Sequence, residues 1–165
     1  APDGARILYF VNDTDPNSVI RSPIIINSYL LKWEGTAKVG VTTKELRNDP
    51  GNGSKTWLVR VATGASQEWE SSSVIREGYL IIGNQQFAEC VNGETELWQY
   101  APSGYFYRPA DTISGGPESL ALTESIWIMR ETEHGVPTVW PSCVLIETND
   151  ALSEPPKLPN EFGDL

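Results

Sequence analysis

Residues 78–100 (GYLIIGNQQFAECVNGETELWQY) constrain the fold more than any other part of the sequence. The Asn92-Gly93 pair is a strong signal for a two-residue type I′ turn, because both turn positions need a positive φ angle. The flanking residues are rich in β-formers, so residues 87–91 are predicted to pair with residues 94–100 as a β-hairpin. The preceding apolar run, residues 79–82, is bounded by glycines and is predicted to be a further strand.

Short strand patterns recur along the rest of the chain. The alternation of apolar and polar residues is clearest at residues 56–62. Residues 43–47 instead fit one helical turn with Thr43 as its N-cap. No segment shows a sustained helical period, and the sequence therefore predicts an all-β fold, an antiparallel β-sandwich or barrel. Further strands are predicted at residues 7–11, 24–31, 32–43, 105–107, 125–130 and 143–148.

The length and composition favour a single domain followed by a tail. The chain has 165 residues, of which 39% are hydrophobic, and this is enough for one domain with its own core. We assign residues 1–148 to that domain. Residues 149–165 hold three prolines and few apolar side chains, so they are predicted to form an extended acidic tail.

The net charge of −10 limits the partners that the protein can have. Nucleic acids and anionic membranes both need a basic surface, so neither is expected as a partner. No apolar run approaches the roughly 20 residues that span a bilayer, so membrane insertion is not expected. A glycan or a protein ligand is compatible with the composition. No cofactor and no oligomeric state are indicated.

Three features favour a secreted protein. The sequence begins at Ala1 without a methionine, as a chain does once a signal peptide has been removed. N-glycosylation sequons start at Asn12 and Asn52, both in polar, turn-like segments. Cys90 and Cys143 would form a disulfide in an oxidising compartment, whereas two buried free thiols are the alternative in the cytosol. The expected location is therefore extracellular or in a cell wall.

Paired carboxylates give a weak signal for glycoside hydrolysis. That reaction needs two carboxyl groups about 5–10 Å apart, and Glu94 and Glu96 have a suitable spacing on one face of a predicted strand. Glu68 and Glu70, on either side of Trp69, have the same spacing. Glutamates on a solvated strand are usually only solvated, so these pairs define an alternative and not a predicted active site.

Histidine and acidic residues offer little for a catalytic triad or a metal centre. His134, beside Gly135, fits an exposed turn, and a single histidine makes a zinc site improbable. Asp13, Asp15 and Asn17 have the spacing of half a calcium loop. The glycine and the glutamate of the full loop are absent, so an Asx-rich turn is favoured over a metal site.

Aromatic residues are numerous, with six tryptophans and six tyrosines. Exposed aromatic rings in β-proteins can stack on sugar rings. Loop or edge positions make Trp69, Tyr105, Tyr107 and Trp140 the candidate binding residues. Three other tryptophans are predicted to fill the core, namely Trp33, Trp57 and Trp127.

Several short motifs resemble those of small secreted fungal proteins of the cell-wall antigen type. They are the segment 87–90 (FAEC), the segment 98–100 (WQY), the segment 143–146 (CVLI) and Ser22-Pro23-Ile24 near the N-terminus. The motifs cover less than half of the chain, and the insert between the cysteines is longer here. The resemblance implies a secreted, β-rich surface protein without established catalysis.

These observations predict a secreted, non-enzymatic protein of a surface, a cell wall or a host interaction, with carbohydrate as its candidate ligand. One alternative is a glycoside hydrolase that acts on polysaccharide through Glu94 and Glu96. Another is a structural coat or spike module whose proline-rich tail lies across a neighbouring subunit.

Overall fold

The structure is a computed structural model that describes residues 17–91 and 94–132. Within these ranges the chain forms eleven strands and one short 3-10 turn, Ser28–Leu30. The predicted all-β class is confirmed. The strands are β1 (Glu34–Gly35), β2 (Val41–Asn48), β3 (Lys55–Val61), β4 (Glu70–Ser71), β5 (Ile75–Ile82), β6 (Gln85–Val91), β7 (Glu94–Tyr100), β8 (Tyr105–Arg108), β9 (Ile113–Ser114), β10 (Leu120–Ala121) and β11 (Ser125–Thr132).

The strands form two sheets that face each other. The larger sheet has six strands in the order β1-β2-β3-β11-β5-β8. In the smaller sheet β6 pairs with β7, β9 and β10, and β9 also pairs with β4. Every pairing of named strands is antiparallel. The described residues contain no helix that is long and apolar enough to cross a bilayer.

The predicted hairpin is confirmed, because β6 and β7 pair along their whole length. Gln85 lies opposite Tyr100, Phe87 opposite Trp98, and Val91 opposite Glu94. Since side chains alternate along a strand, this register turns Gln85 and Phe87 toward the larger sheet together with Tyr100. The hairpin therefore supplies one wall of the interior.

Two predicted elements are wrong. Residues 24–31 do not form a strand: they hold only the 3-10 turn, and Ile25 is 94% exposed. Residues 43–47 are not a helical turn but part of β2, where Thr43 pairs with Val59 of β3. Pairing with a long neighbouring strand overrides a weak local capping signal. The predicted strands at 7–11 and 143–148 and the tail at 149–165 lie outside the described residues.

Four aromatic rings form the centre of the core. Phe87, Tyr100, Phe106 and Trp127 are buried, and their ring centroids lie 5.5–6.2 Å apart in mostly edge-to-face geometry, the arrangement that aromatic pairs prefer. A Cβ atom at Gly78 would lie 2.4 Å from the Phe106 ring. The absence of a side chain at this point of β5 is therefore what allows Phe106 to reach the core.

The buried carboxylate of Asp49 fastens residues 18 and 19 to the loop after β2. It accepts hydrogen bonds from Ser18 Oγ, from the Val19 amide (3.2 Å) and from the Gly51 amide (3.0 Å), and Arg47 lies 3.3 Å away. The hydrogen bond from Ser18 does most to lower the pKa of Asp49; burial opposes it, and the two amides and Arg47 add to the lowering. Asp49 therefore favours the folded state only while it is ionised.

Replacing Asp49 with asparagine is expected to flatten the acid dependence of stability. A carboxylate with a lowered folded-state pKa contributes stability above its ordinary pKa of about 3.9 and loses it as the pH falls through the folded-state value. Urea midpoints measured from pH 6 to pH 2.5 should fall less steeply in Asp49→Asn than in the wild type. Asp111→Asn, at an exposed turn, is the control. Equal slopes in all three proteins would contradict the role of Asp49.

Candidate functional site

A cavity of about 380 Å³ lies between the two sheets. This volume falls within the range of about 300–1,000 Å³ that is usual for small-molecule sites. Strands of both sheets contribute to its wall, together with residues 36–38 of the loop after β1. Its apolar lining consists of Ala37, Val41, Trp57, Val59, Val61, Phe87, Phe106, Trp127 and Met129, and its polar lining of Thr36, Lys38, Thr43, Gln67, Glu70, Arg76, Gln85 and Arg108.

The strand periodicity explains why the apolar side chains converge. On β3, alternate positions from Trp57 to Val61 point into the cavity, and on β11 Trp127 and Met129 do the same. The two strands are paired so that Val59 lies opposite Trp127. The larger sheet therefore presents a continuous apolar surface to a bound molecule.

A chain of ion pairs bounds the cavity on its polar side. Lys38 Nζ lies 2.5 Å from Glu70, and Arg76 lies 2.9 Å from the other oxygen of the same carboxylate. Arg76 also contacts Glu131 at 2.7 Å, and Lys55 contacts Glu131 at 2.8 Å. The Lys38–Glu70 pair connects the loop after β1 to β4, so it joins the two sheets beside the cavity.

A buried ion pair lies behind this chain. Arg108 donates from Nε to Glu89 at 2.8 Å and from Nη2 to the other oxygen of that carboxylate, and Tyr100 donates to Glu89 at 3.2 Å. The guanidinium carbon of Arg108 lies 3.8 Å from the ring centroid of Phe106 and 4.9 Å from that of Phe87. The cation is thus held by a carboxylate and two aromatic faces.

The pKa directions in this region all have electrostatic causes. Burial lowers the pKa of Arg108, but the charge and hydrogen bonds of Glu89 outweigh it and the net direction is upward. Burial raises the pKa of Glu70, but the hydrogen bond from Lys38 and the charge of Arg76 bring it below its usual value. Burial, assisted by Glu89, raises the pKa of Tyr100. At neutral pH the site therefore combines fixed cations with an ionised Glu70.

Gln85 is the most unusual polar residue of the lining, because its side-chain amide is fully buried and only its oxygen has hydrogen-bond partners among the described residues. Its Oε1 atom accepts hydrogen bonds from Trp127 Nε1 (2.7 Å) and Ser125 Oγ (2.8 Å). The indole nitrogen can only donate, so the orientation of the amide is fixed. The Nε2 atom has no hydrogen-bond partner among the described residues. A buried donor without a partner is rare in proteins and suggests a missing acceptor.

The described residues hold no group of three histidine, cysteine, aspartate or glutamate side chains that could bind a metal ion. The acidic residues of the cavity are each held by cations, as Glu70 is by Lys38 and Arg76. The described lining offers cations, the Glu70 carboxylate, two amides, two hydroxyls and aromatic surfaces.

The proposed binding and catalytic residues that the structure describes do not line this cavity. Tyr105 and Tyr107 lie on the outer face of β8, and Tyr107 is 52% exposed. Burial and a hydrogen bond to Glu77 raise the pKa of Tyr105. Trp69 lies against Gly116 and is half-buried. None of these three, and neither of the alternative pair Glu94 and Glu96 on β7, belongs to the lining of the cavity.

The residues predicted for glycosylation, metal binding and the disulfide stay predictions. Asn52 is buried, and its Oδ1 atom accepts hydrogen bonds from the amide and hydroxyl of Ser54, so glycosylation would require its side chain to turn outward. Asn17 is exposed. The backbone of Cys90 belongs to β6, but its side chain lies outside the described part of the structure. Also outside it lie Asn12, Asp13, Asp15, His134, Trp140 and Cys143.

The sequence of this chain matches no protein-family model and no curated protein. Its structure, however, is similar to that of a cupin of the RmlC-like type from Shewanella frigidimarina, with 15% identity over 68% of this chain and 93% of the other and a TM-score of 0.53. It is also similar to the cupin domain of Cnp3 from Schizosaccharomyces pombe, with 8% identity, 67% and 74% coverage and a TM-score of 0.54.

An enzyme is among the similar structures. A mutant of oxalate decarboxylase from Bacillus subtilis is 12% identical over 72% of this chain and has a TM-score of 0.54. The match covers 32% of the decarboxylase chain. At these identities the similarity concerns the fold alone, and that fold is a cupin-like β-sandwich.

These comparisons overturn the predicted function. A non-enzymatic surface, cell-wall or host-interaction protein is wrong, because the fold is shared with cupins and with a named enzyme. The secreted location stays a prediction. The comparisons lend no support to a glycoside hydrolase or to a coat or spike module. The physical reason is that the alternation of residues predicts strands, whereas the cavity depends on how the two sheets pack against each other. Of the aromatic residues that suggested a sugar-binding surface, Trp69, Tyr105 and Tyr107 are not part of the cavity lining, and other aromatic residues line it.

Proposed function

We propose that the protein binds a small organic molecule in the cavity between its two sheets. The observation that carries this proposal is a cavity of about 380 Å³ with aromatic and aliphatic walls and a small set of converging polar groups. Such a combination is typical of ligand sites. The cavity is partly open to solvent, so a small molecule can reach it.

The comparisons support a small ligand in general terms. Oxalate decarboxylase, which shares the fold, is named for its action on a small organic acid. In the present chain four aromatic side chains line the cavity and offer flat apolar surface, namely Trp57, Phe87, Phe106 and Trp127. We therefore expect a ligand with an apolar body.

Filling the cavity is expected to abolish binding. Val59 lines the cavity, whereas Leu58 is the next residue of β3 and faces the opposite side of the sheet. In Val59→Phe the larger side chain occupies the space of the ligand. A library of small aromatic and aliphatic acids, amides and alcohols, tested by saturation-transfer NMR, should give binders of the wild type that fail to bind this variant.

Leu58→Phe is the matched control, because it adds a phenyl ring to the outer face of the same strand. Binders of the wild type should bind it unchanged. Circular dichroism of both variants checks that the sheets are intact. Binding that Val59→Phe leaves unaffected would show that the ligand lies elsewhere and would overturn the proposal.

A further inference from the structure

We infer that the ligand is an organic monocarboxylate with a flat apolar body, whose oxygen acceptors are met by the Gln85 amide and by the cationic side of the cavity. This inference rests on the proposed function and narrows it to one chemical class. It depends on the charge balance around the cavity, on the unpartnered amide, and on the shape of the apolar wall.

Among the described residues, the ion pairs that lie around the cavity hold one more cation than carboxylates. Four cations contact three carboxylates, although the chain as a whole carries a net charge of −10. A local excess of the opposite sign in an acidic protein favours an anionic ligand. An excess of one charge fits a monoanion better than a dianion. The cations are Lys38, Lys55, Arg76 and Arg108, and the carboxylates are Glu70, Glu89 and Glu131.

Two of these cations are held close together. Arg76 and Arg108 are cross-strand neighbours on β5 and β8, an arrangement in which like charges repel. Glu70 is close enough to interact with both. The Arg108–Glu89 pair engages Nε and Nη2 of the guanidinium, and Nη1 is not part of that pair. A ligand carboxylate near the arginines would add to the effect of Glu70 and receive charge-assisted hydrogen bonds.

Gln85 supplies an independent indication of an acceptor-bearing ligand. Its side chain is fully buried, it lines the cavity, and its Nε2 atom has no partner among the described residues. Trp127 and Ser125 hold the other end of the amide, so the donor cannot be exchanged for an acceptor by a flip. A carbonyl or carboxylate oxygen is the partner that such an N–H group requires.

The apolar part of the proposed ligand follows from the lining residues of the larger sheet. Trp57, Val59 and Trp127 lie side by side on β3 and β11, and flat or elongated apolar groups pack well on such a surface. The site thus brings cations and amide donors next to aromatic faces, as the 3.8 Å contact of Arg108 with the Phe106 ring shows. This combination matches an aryl- or alkyl-substituted carboxylate.

The test compares acids with their own amides. Benzoate, phenylacetate, 3-phenylpropionate and 4-phenylbutyrate are each titrated against the wild type beside the corresponding primary carboxamide, which has the same shape and no charge. Isothermal titration calorimetry should show at least one acid bound about tenfold more tightly than its amide, as expected for the loss of a charge-assisted hydrogen bond. This comparison needs no variant and so does not depend on mutant folding.

A pair of matched variants tests the role of Gln85. Gln85→Glu keeps an acceptor for Trp127 and Ser125 but replaces the Nε2 donor with an oxygen. Acid binding should weaken by about tenfold or more. Gln99→Glu makes the same change on β7, at a position paired with Gln86 on the face away from the cavity, and should bind as the wild type does.

The outcomes separate the two proposals. Acid and amide that bind equally, with binding lost in Val59→Phe, would overturn the monocarboxylate inference and leave the cavity as the ligand site. Acid binding that is stronger than amide binding but unchanged in Val59→Phe would overturn the cavity as the site. Equal weakening in Gln85→Glu and Gln99→Glu would contradict recognition by the Gln85 amide.

Discussion

Replacement of Arg108 with alanine is expected to lower the free energy of unfolding by about 3–5 kcal/mol, the usual cost of removing one partner of a buried ion pair. Arg108 and Glu89 are both buried and form a two-point contact. Without the guanidinium, the buried Glu89 carboxylate would lose both hydrogen bonds from Arg108 and keep the one from the Tyr100 hydroxyl. Urea unfolding at pH 7, followed by tryptophan fluorescence, measures the loss.

A double variant separates the charge effect from the loss of packing. Arg108→Met combined with Glu89→Leu removes both charges and keeps apolar volume, so it should be more stable than Arg108→Ala. Lys38→Ala is the control for an exposed pair: Lys38 is half exposed beside Glu70, and its removal should cost about 0–1 kcal/mol. A double variant that is less stable than Arg108→Ala would contradict the assignment of the loss to an unpaired carboxylate.

The strands of the central sheets could be predicted from the sequence because each depends on a local signal. The Asn92-Gly93 dipeptide specified the pairing of β6 with β7, and the alternation at residues 56–62 gave β3. Where the local signal was weak, as at residues 43–47, the pairing of β2 with β3 decided the conformation instead. Local patterns therefore predict strands well where neighbouring strands agree with them.

The site could not be predicted because its contacts join residues far apart in the chain. Gln85 binds Trp127, 42 residues away, and Arg76 binds Glu131, 55 residues away. The sequence of β8, Tyr-Phe-Tyr-Arg, did carry a usable signal. Alternation places Phe106 and Arg108 on one face and both tyrosines on the other, but nothing local showed which face is inside. An arginine that shares a face with a phenylalanine was the clue to a buried cation.

Replacement of Trp127 with alanine is expected to cost about 3–5 kcal/mol, as large aromatic-to-alanine changes in a core do. Trp127 is 2% exposed and contacts the rings of Phe87, Tyr100 and Phe106. Its indole also donates to Gln85 Oε1, so the variant would lose a hydrogen bond as well as packing. Thermal unfolding followed by far-ultraviolet circular dichroism measures the effect without relying on the removed fluorophore.

Two further variants show whether the loss arises from the core position of Trp127. Trp33 does not fill the core as predicted: it is half-buried, with Lys44 Nζ 4.6 Å and the Arg60 guanidinium 4.8 Å from its ring. Trp33→Ala should therefore cost only about 1 kcal/mol. Trp127→Phe keeps a ring but removes the donor to Gln85, so it should fall between the two alanine variants. Trp127 packs in the ring cluster and also orients the Gln85 amide. Trp127→Phe should therefore weaken ligand binding even under conditions in which the variant is fully folded. Wild-type affinity in Trp127→Phe would contradict the orienting role of the indole.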